Sequence, residues 1–126
     1  MDGTNGQPVL EELVDRIDRD GESTVVYLTG ELDLLISPRL QRLLDTECEQ
    51  NPRRLCLDLT GVDFLDSSAL RVFVHTHKRL AGESARLELV SCTPAVRRLL
   101  SLTSLDWLLA TCASSPPAAQ RCLRLM

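Results

Sequence analysis

The chain has 126 residues, 44% of them hydrophobic, 3% aromatic, and a formal net charge of −4. That is length enough for one domain with a modest core built on Leu and Val. An acidic chain with no Lys/Arg stripe and no interleaved aromatics is a poor nucleic-acid ligand, and no apolar run approaches the roughly 18 residues of a membrane span. The polar, acidic start lacks the basic-then-apolar order of a signal peptide, so a cytoplasmic protein is expected.

Residues 1–8 read as a flexible N-terminus and residues 113–126, with Ser114-Ser115-Pro116-Pro117, as a flexible C-terminal tail, leaving 9–112 as the domain. Within 9–19 the pattern suits a weak edge strand, although Leu10, Leu13, Val14 and Ile17 also fit a helix. Asp20-Gly21-Glu22 is a turn. Thr24 to Thr29 is a β-branched, apolar strand that Gly30 is expected to stop.

Ile36-Ser37-Pro38 starts a helix, with Ser37 as its N-cap and Pro38 as the first helical residue. Leu40, Leu43, Leu44 and Cys48 carry its apolar stripe, and Asn51-Pro52 ends it. Leu55 to Leu59 is the next strand, with Leu55, Leu57 and Leu59 on one face and a break expected at Thr60-Gly61. From Ser67 the helical period returns through Leu70, Phe73, Val74, His77 and Leu80, closed by Gly82. Leu87 to Val90 is a fourth strand, and Pro94 opens a third helix. Leu105 to Leu109 is a short final strand or extended segment. Strands alternating with helices predict an α/β fold: a mixed sheet of four to five strands against three to four helices.

Five cysteines, at 48, 56, 92, 112 and 122, are odd in number and include no C-x-x-C. They are expected to be reduced, and no metal or cofactor is indicated. The pairs Arg53-Arg54 and Arg97-Arg98 read as solvated surface.

The most informative stretch is Asp63-Phe64-Leu65-Asp66-Ser67-Ser68-Ala69-Leu70, where a strand hands over to a helix. One reading of Asp66-Ser67-Ser68 is capping, worth about 1 kcal/mol. The other is a phosphorylation site, because a helix N-terminus offers open N–H groups and the positive end of the dipole. A phosphate on Ser67 would bring about −1.5 to −2 charges beside Asp66. The fold would survive and a partner docked there would be expelled.

A hydrolase is disfavoured: His75 and His77 would lie about 12 and 15 Å along the helix from Ser67, beyond the reach of a catalytic base, and no G-x-S-x-G is present. His77, on the apolar stripe, reads as a semi-buried structural histidine. Asp33, Asp58, Asp63 and Asp66 lack the nucleophile or ligand spacing that catalysis needs, with Asp58 expected to pair on the far sheet face and Asp63 to serve the turn.

Three segments resemble the STAS domain of the bacterial anti-sigma factor antagonist family. These are Val26-Tyr27-Leu28-Thr29-Gly30-Glu31-Leu32-Asp33, the stretch from Leu57 to Leu70 containing Asp66-Ser67-Ser68, and Ser91 to Leu100. The similarity spans roughly residues 10–110. It implies an antagonist, not an enzyme, that binds an anti-sigma factor serine kinase of the histidine-kinase-like ATPase fold and frees a sigma factor.

The kinase would phosphorylate Ser67, the first serine after the motif aspartate, and break the complex, which a PP2C-type phosphatase would reset. Ser68 would be the neighbouring cap, and Asp33 with Asp66, Ser67, Ser68 and Ala69 would form the partner-binding surface. Ala69 stands where the signature usually has Gly; it favours the helix by about 1 kcal/mol, while its methyl could obstruct a kinase. The same fold also serves as a scaffold in lipid transporters and stress-sensing assemblies.

Overall fold

The computed structural model describes residues 13–109. Four strands, β1 (Val14–Asp20), β2 (Ser23–Leu32), β3 (Arg54–Leu65) and β4 (Arg86–Cys92), lie in the order β1-β2-β3-β4. Helix α1 (Ser37–Cys48) joins β2 to β3, α2 (Ser67–Ala81) joins β3 to β4, and α3 (Pro94–Leu102) follows β4. β1 and β2 are antiparallel, paired through the turn that brings Asp20 opposite Ser23. β2–β3 and β3–β4 are parallel. The sheet is mixed, and the parallel pairings bring the ends of β2 and β3 out at the same edge, each followed by a helix.

The ambiguous first segment is a strand from Val14, because pairing with β2 outweighs its equally good helical spacing. Two expected breaks are bulges instead. β2 runs past Gly30 to Leu32 and β3 runs past Thr60-Gly61 to Leu65. Between Tyr27 and Thr29, and again between Gly30 and Glu31, the register shifts by an extra residue on β3. Gly30 tolerates this at φ 88°. Gly61 allows close approach: a Cβ there would stand 3.0 Å from Thr29 Cγ2 and 3.2 Å from the Leu28 carbonyl oxygen. The two glycines thus bend strands that continue through them.

Ser37 is not the N-cap of α1. Ile36 holds that place, and the Ser37 hydroxyl donates back to the Leu34 carbonyl at 3.1 Å. Pro38 is consequently the second helical residue. Gly82 caps α2 in right-handed geometry, and the left-handed residue is Ser84, at φ 60°. The final strand reduces to one parallel bridge between Leu89 and Leu109, preceded by a 3-10 turn at Asp106–Leu108.

The helices share one sheet face, where Val26, Leu28, Leu55, Leu57 and Leu59 meet Leu40, Leu44, Phe73, Leu80, Val96 and Leu100 in the main core. Cys56, between the three leucines, points into a smaller cluster with Val25 and Val90 on the reverse face. Such two-sided burial is what a central parallel strand requires. Asp45 joins α1 to α2 through Arg79 at 3.2 Å, and buried Glu47 joins α1 to β1 through Arg19 at 2.7 Å. Cys48, Cys56 and Cys92 are in no disulfide among the described residues, and burial pushes the Cys48 thiol up from its ordinary value. Of the two basic pairs, Arg97-Arg98 is exposed as expected. Arg54 is not: its side chain is 12% exposed and pairs with Glu88. Cys112, Cys122 and the expected tail lie outside the described residues.

Candidate functional site

The ends of β2 and β3 are in register, Leu32 opposite Leu65. The next residues, Asp33 and Asp66, therefore leave the sheet side by side. Each carboxylate organises the turn that follows it. Asp33 Oδ1 accepts from the N–H of Leu35 at 3.1 Å and of Ile36 at 3.2 Å, so the loop turns tightly into α1. Asp66 is the N-cap of α2, with extended backbone and a side chain accepting from the N–H of Ser68 at 2.9 Å and of Ala69 at 3.4 Å. The Ser68 hydroxyl donates to the same oxygen.

The two loops are also tied to each other. The Asp66 N–H donates to the Leu32 carbonyl at 3.2 Å, and the Leu34 N–H acts on the Asp66 carboxylate electrostatically. The Ser68 hydroxyl first, then the Ala69, Ser68 and Leu34 N–H groups, hold the Asp66 carboxyl below its usual range against a smaller upward pull from burial. Asp66 is thus an anion at neutral pH.

Ser67 is the first helical residue and is exposed; no described residue hydrogen-bonds its hydroxyl. This hydroxyl is free to react, whereas that of Ser68 is spent on the cap. One expectation changes. The N–H groups of Ser68 and Ala69, which a phosphate would otherwise find open, already serve Asp66. Ala69 is 0% exposed and packs in the core, so its methyl neither obstructs Ser67 nor offers a docking surface.

Three large apolar side chains nearby were not singled out by the sequence patterns. Leu34 is 70% exposed, Leu35 77% and Phe64 50%. Leu34 and Leu35 follow Asp33, and Phe64 lies two residues before Asp66. Their signal is a phase mismatch: extending the Leu40–Leu44–Cys48 stripe backwards by helical steps reaches Ile36 and Ser37 and leaves Leu34 and Leu35 unassigned. Phe64 also borders a groove of about 230 Å³ lined by Asp63, Leu65, Ala95, Val96 and Leu99. Exposed apolar side chains around a polar centre suit a protein partner.

Asp63 lies in β3 and Asp58 accepts from the Thr60 N–H at 2.9 Å, so neither belongs to this site. His75 is exposed on α2, and His77 packs edge-on against Trp107 with ring centroids 4.8 Å apart. Among the described residues no three His, Cys, Asp or Glu side chains converge as metal ligands, and no helix is long and apolar enough to cross a membrane.

The comparisons with known proteins agree with this fold. The anti-sigma-B factor antagonist of Listeria monocytogenes is 30% identical over 89 residues, covering 71% of this chain and 78% of that protein. The anti-sigma-F factor antagonist RsfB of Mycobacterium tuberculosis is 30% identical over 82 residues, covering 65% of this chain and 66% of that protein. The crystal structure of an anti-sigma factor antagonist from Mycobacterium paratuberculosis superposes with a TM-score of 0.67 at 30% identity, covering 75% of this chain and 80% of that one. The STAS domain pattern itself matches residues 8–117. With fold and relatives in agreement, this chain belongs to the STAS domain family, among relatives that are anti-sigma factor antagonists.

Proposed function

We propose that this protein is an anti-sigma factor antagonist whose partner, an anti-sigma factor serine kinase, docks over the start of α2 and is expelled when Ser67 is phosphorylated. The observation that carries the reading is the free, exposed Ser67 hydroxyl beside an ionised Asp66 whose N–H donors are already committed. A phosphate at Ser67 meets a carboxylate with little compensating hydrogen bonding, so about −1.5 to −2 added charges repel locally without strengthening the helix end. The apolar side chains of Leu34, Leu35 and Phe64 supply the area a partner would bury. Asp33 and Ser68 shape the surface from beneath, and Asp66 sets its charge. The protein is then a substrate of the kinase and no enzyme itself, acts in the cytoplasm, and is reset by a PP2C-type phosphatase.

The test is affinity capture from the source cell with ADP present, using wild type and Ser67→Glu as baits, followed by phosphorylation of wild type and Ser67→Ala by the captured ATPase. Recovery of a histidine-kinase-like ATPase by wild type alone, with phosphate transferred to Ser67 and none to Ser67→Ala, is the expected result. Equal recovery of transporter or stress-complex components by both baits would sink the reading and favour a scaffold.

A further inference from the structure

At the other end of the sheet, up to roughly 36 Å from the Leu65 end of β3 at ~3.3 Å per residue, the starts of β2, β3 and β4 enclose an open cleft. It has a volume of about 400 Å³ and is lined by Arg53, Arg54, Arg86, Glu22, Ser23 and Ser84, among others. We propose that this cleft binds a small phosphate-type anion through the guanidinium groups of Arg53, Arg54 and Arg86.

Local charge is the first reason. The chain as a whole carries −4, yet here three guanidinium groups are balanced by two carboxylates, Glu22 and Glu88. Glu88 is divided between Arg54 at 3.5 Å and Arg86 at 3.1 Å. Glu22 reaches Arg53 only at 3.6 Å, with both side chains mostly exposed. The lining itself therefore holds three guanidinium groups to one carboxylate, with Asp20 paired opposite Ser23 and Glu83 preceding Ser84 beside it.

The register is the second reason. Arg54 and Arg86 are directly paired across β3 and β4, and like charges in that position repel. An anion between them offsets the repulsion that Glu88 alone must now quench.

Donor supply is the third reason. The carboxylate contact of each guanidinium is made at Nε, and the terminal nitrogens carry four of the five N–H donors of any guanidinium. Planar forks of this kind match phosphate oxygens in pairs. Arg54 is anchored, at 12% exposure, while Arg53 and Arg86 are 64% and 57% exposed and able to close on a ligand. The Ser23 and Ser84 hydroxyls add further donors at the rim.

The full-length protein is titrated with pyrophosphate, inorganic phosphate and ADP at constant ionic strength, by calorimetry and by thermal melting. Wild type is expected to bind pyrophosphate saturably and to melt higher in its presence, as any ligand of the native state requires. The double variant Arg53→Gln/Arg86→Gln is expected to melt near wild type without ligand and to lose on the order of 10-fold or more in affinity. Arg53→Gln alone, at the most exposed position, is the fallback should the double variant fail to fold, and is expected to weaken binding as well. Equal affinity for ADP and pyrophosphate identifies the phosphate group itself as the ligand; a clear preference for ADP identifies a nucleotide. Absence of saturable binding to any of the three up to roughly 10 mM, a range of only a few kcal/mol, or unchanged affinity in the folded variants, would overturn the assignment.

Discussion

Asp66 shows how much one side chain can do. It caps α2, fixes the Ser68 hydroxyl, acts electrostatically on the Leu34 N–H and sets the charge that a phosphate on Ser67 would face. Because these bonds lower its folded-state pKa, its contribution to stability is present above the unfolded value and is lost as pH falls through the folded one. Asp66→Ala should therefore cost about 1 kcal/mol at neutral pH. The difference from wild type should close as pH drops below ~4. Urea unfolding of both proteins across that range checks it; a gap that persists at low pH would place the effect in packing instead of ionisation. Ser68 and Ser67 divide the remaining work, one hydroxyl bound to the cap and the other left exposed.

Among the elements, periodicity exposed what burial enforces and missed what pairing enforces. The faces of α1 and α2 and the alternation Leu55-Leu57-Leu59 were legible because apolar spacing records which side meets the core. The continuation of β2 through Gly30 and of β3 through Gly61 was not, since a bulge depends on the neighbouring strand and leaves only a glycine in the sequence. The same holds for Arg54, whose solvated reading ignored Glu88, 34 residues on in β4, and for the start of α1, where Ile36 takes the N-cap position and Asp33 organises the loop before it. The Asp66-Ser67-Ser68 site was legible as a motif, while Leu34, Leu35 and Phe64 around it were not, because exposure is invisible until both loops are in place. Gly61→Ala should destabilise the domain by about 1–3 kcal/mol, since the new methyl overlaps Thr29 and the Leu28 carbonyl. Chemical denaturation reads this directly, and an unchanged midpoint would mean that β2 yields freely at the bulge.

Seen whole, the molecule has the proposed switch and the proposed anion cleft at the two ends of its sheet and its core between them, with the described helices packed on one face. Leu35→Ser with Phe64→Ser should leave the melting temperature close to wild type, because both side chains are at least half exposed. Partner affinity should fall by ~10-fold or more if these residues anchor the interface; calorimetry with the captured ATPase measures it, and an unaltered Kd would move the interface elsewhere. The pull of the Asp66 carboxylate on the Leu34 amide carries a further consequence for motion. A single carboxylate caps the amides of Ser68 and Ala69 and acts electrostatically on that of Leu34, more than thirty residues away in sequence. Those amides should open as one unit. In hydrogen–deuterium exchange the Leu34 amide of Asp66→Ala should speed up together with that of Ser68, so that a change made at the head of α2 is felt at once in the loop before α1.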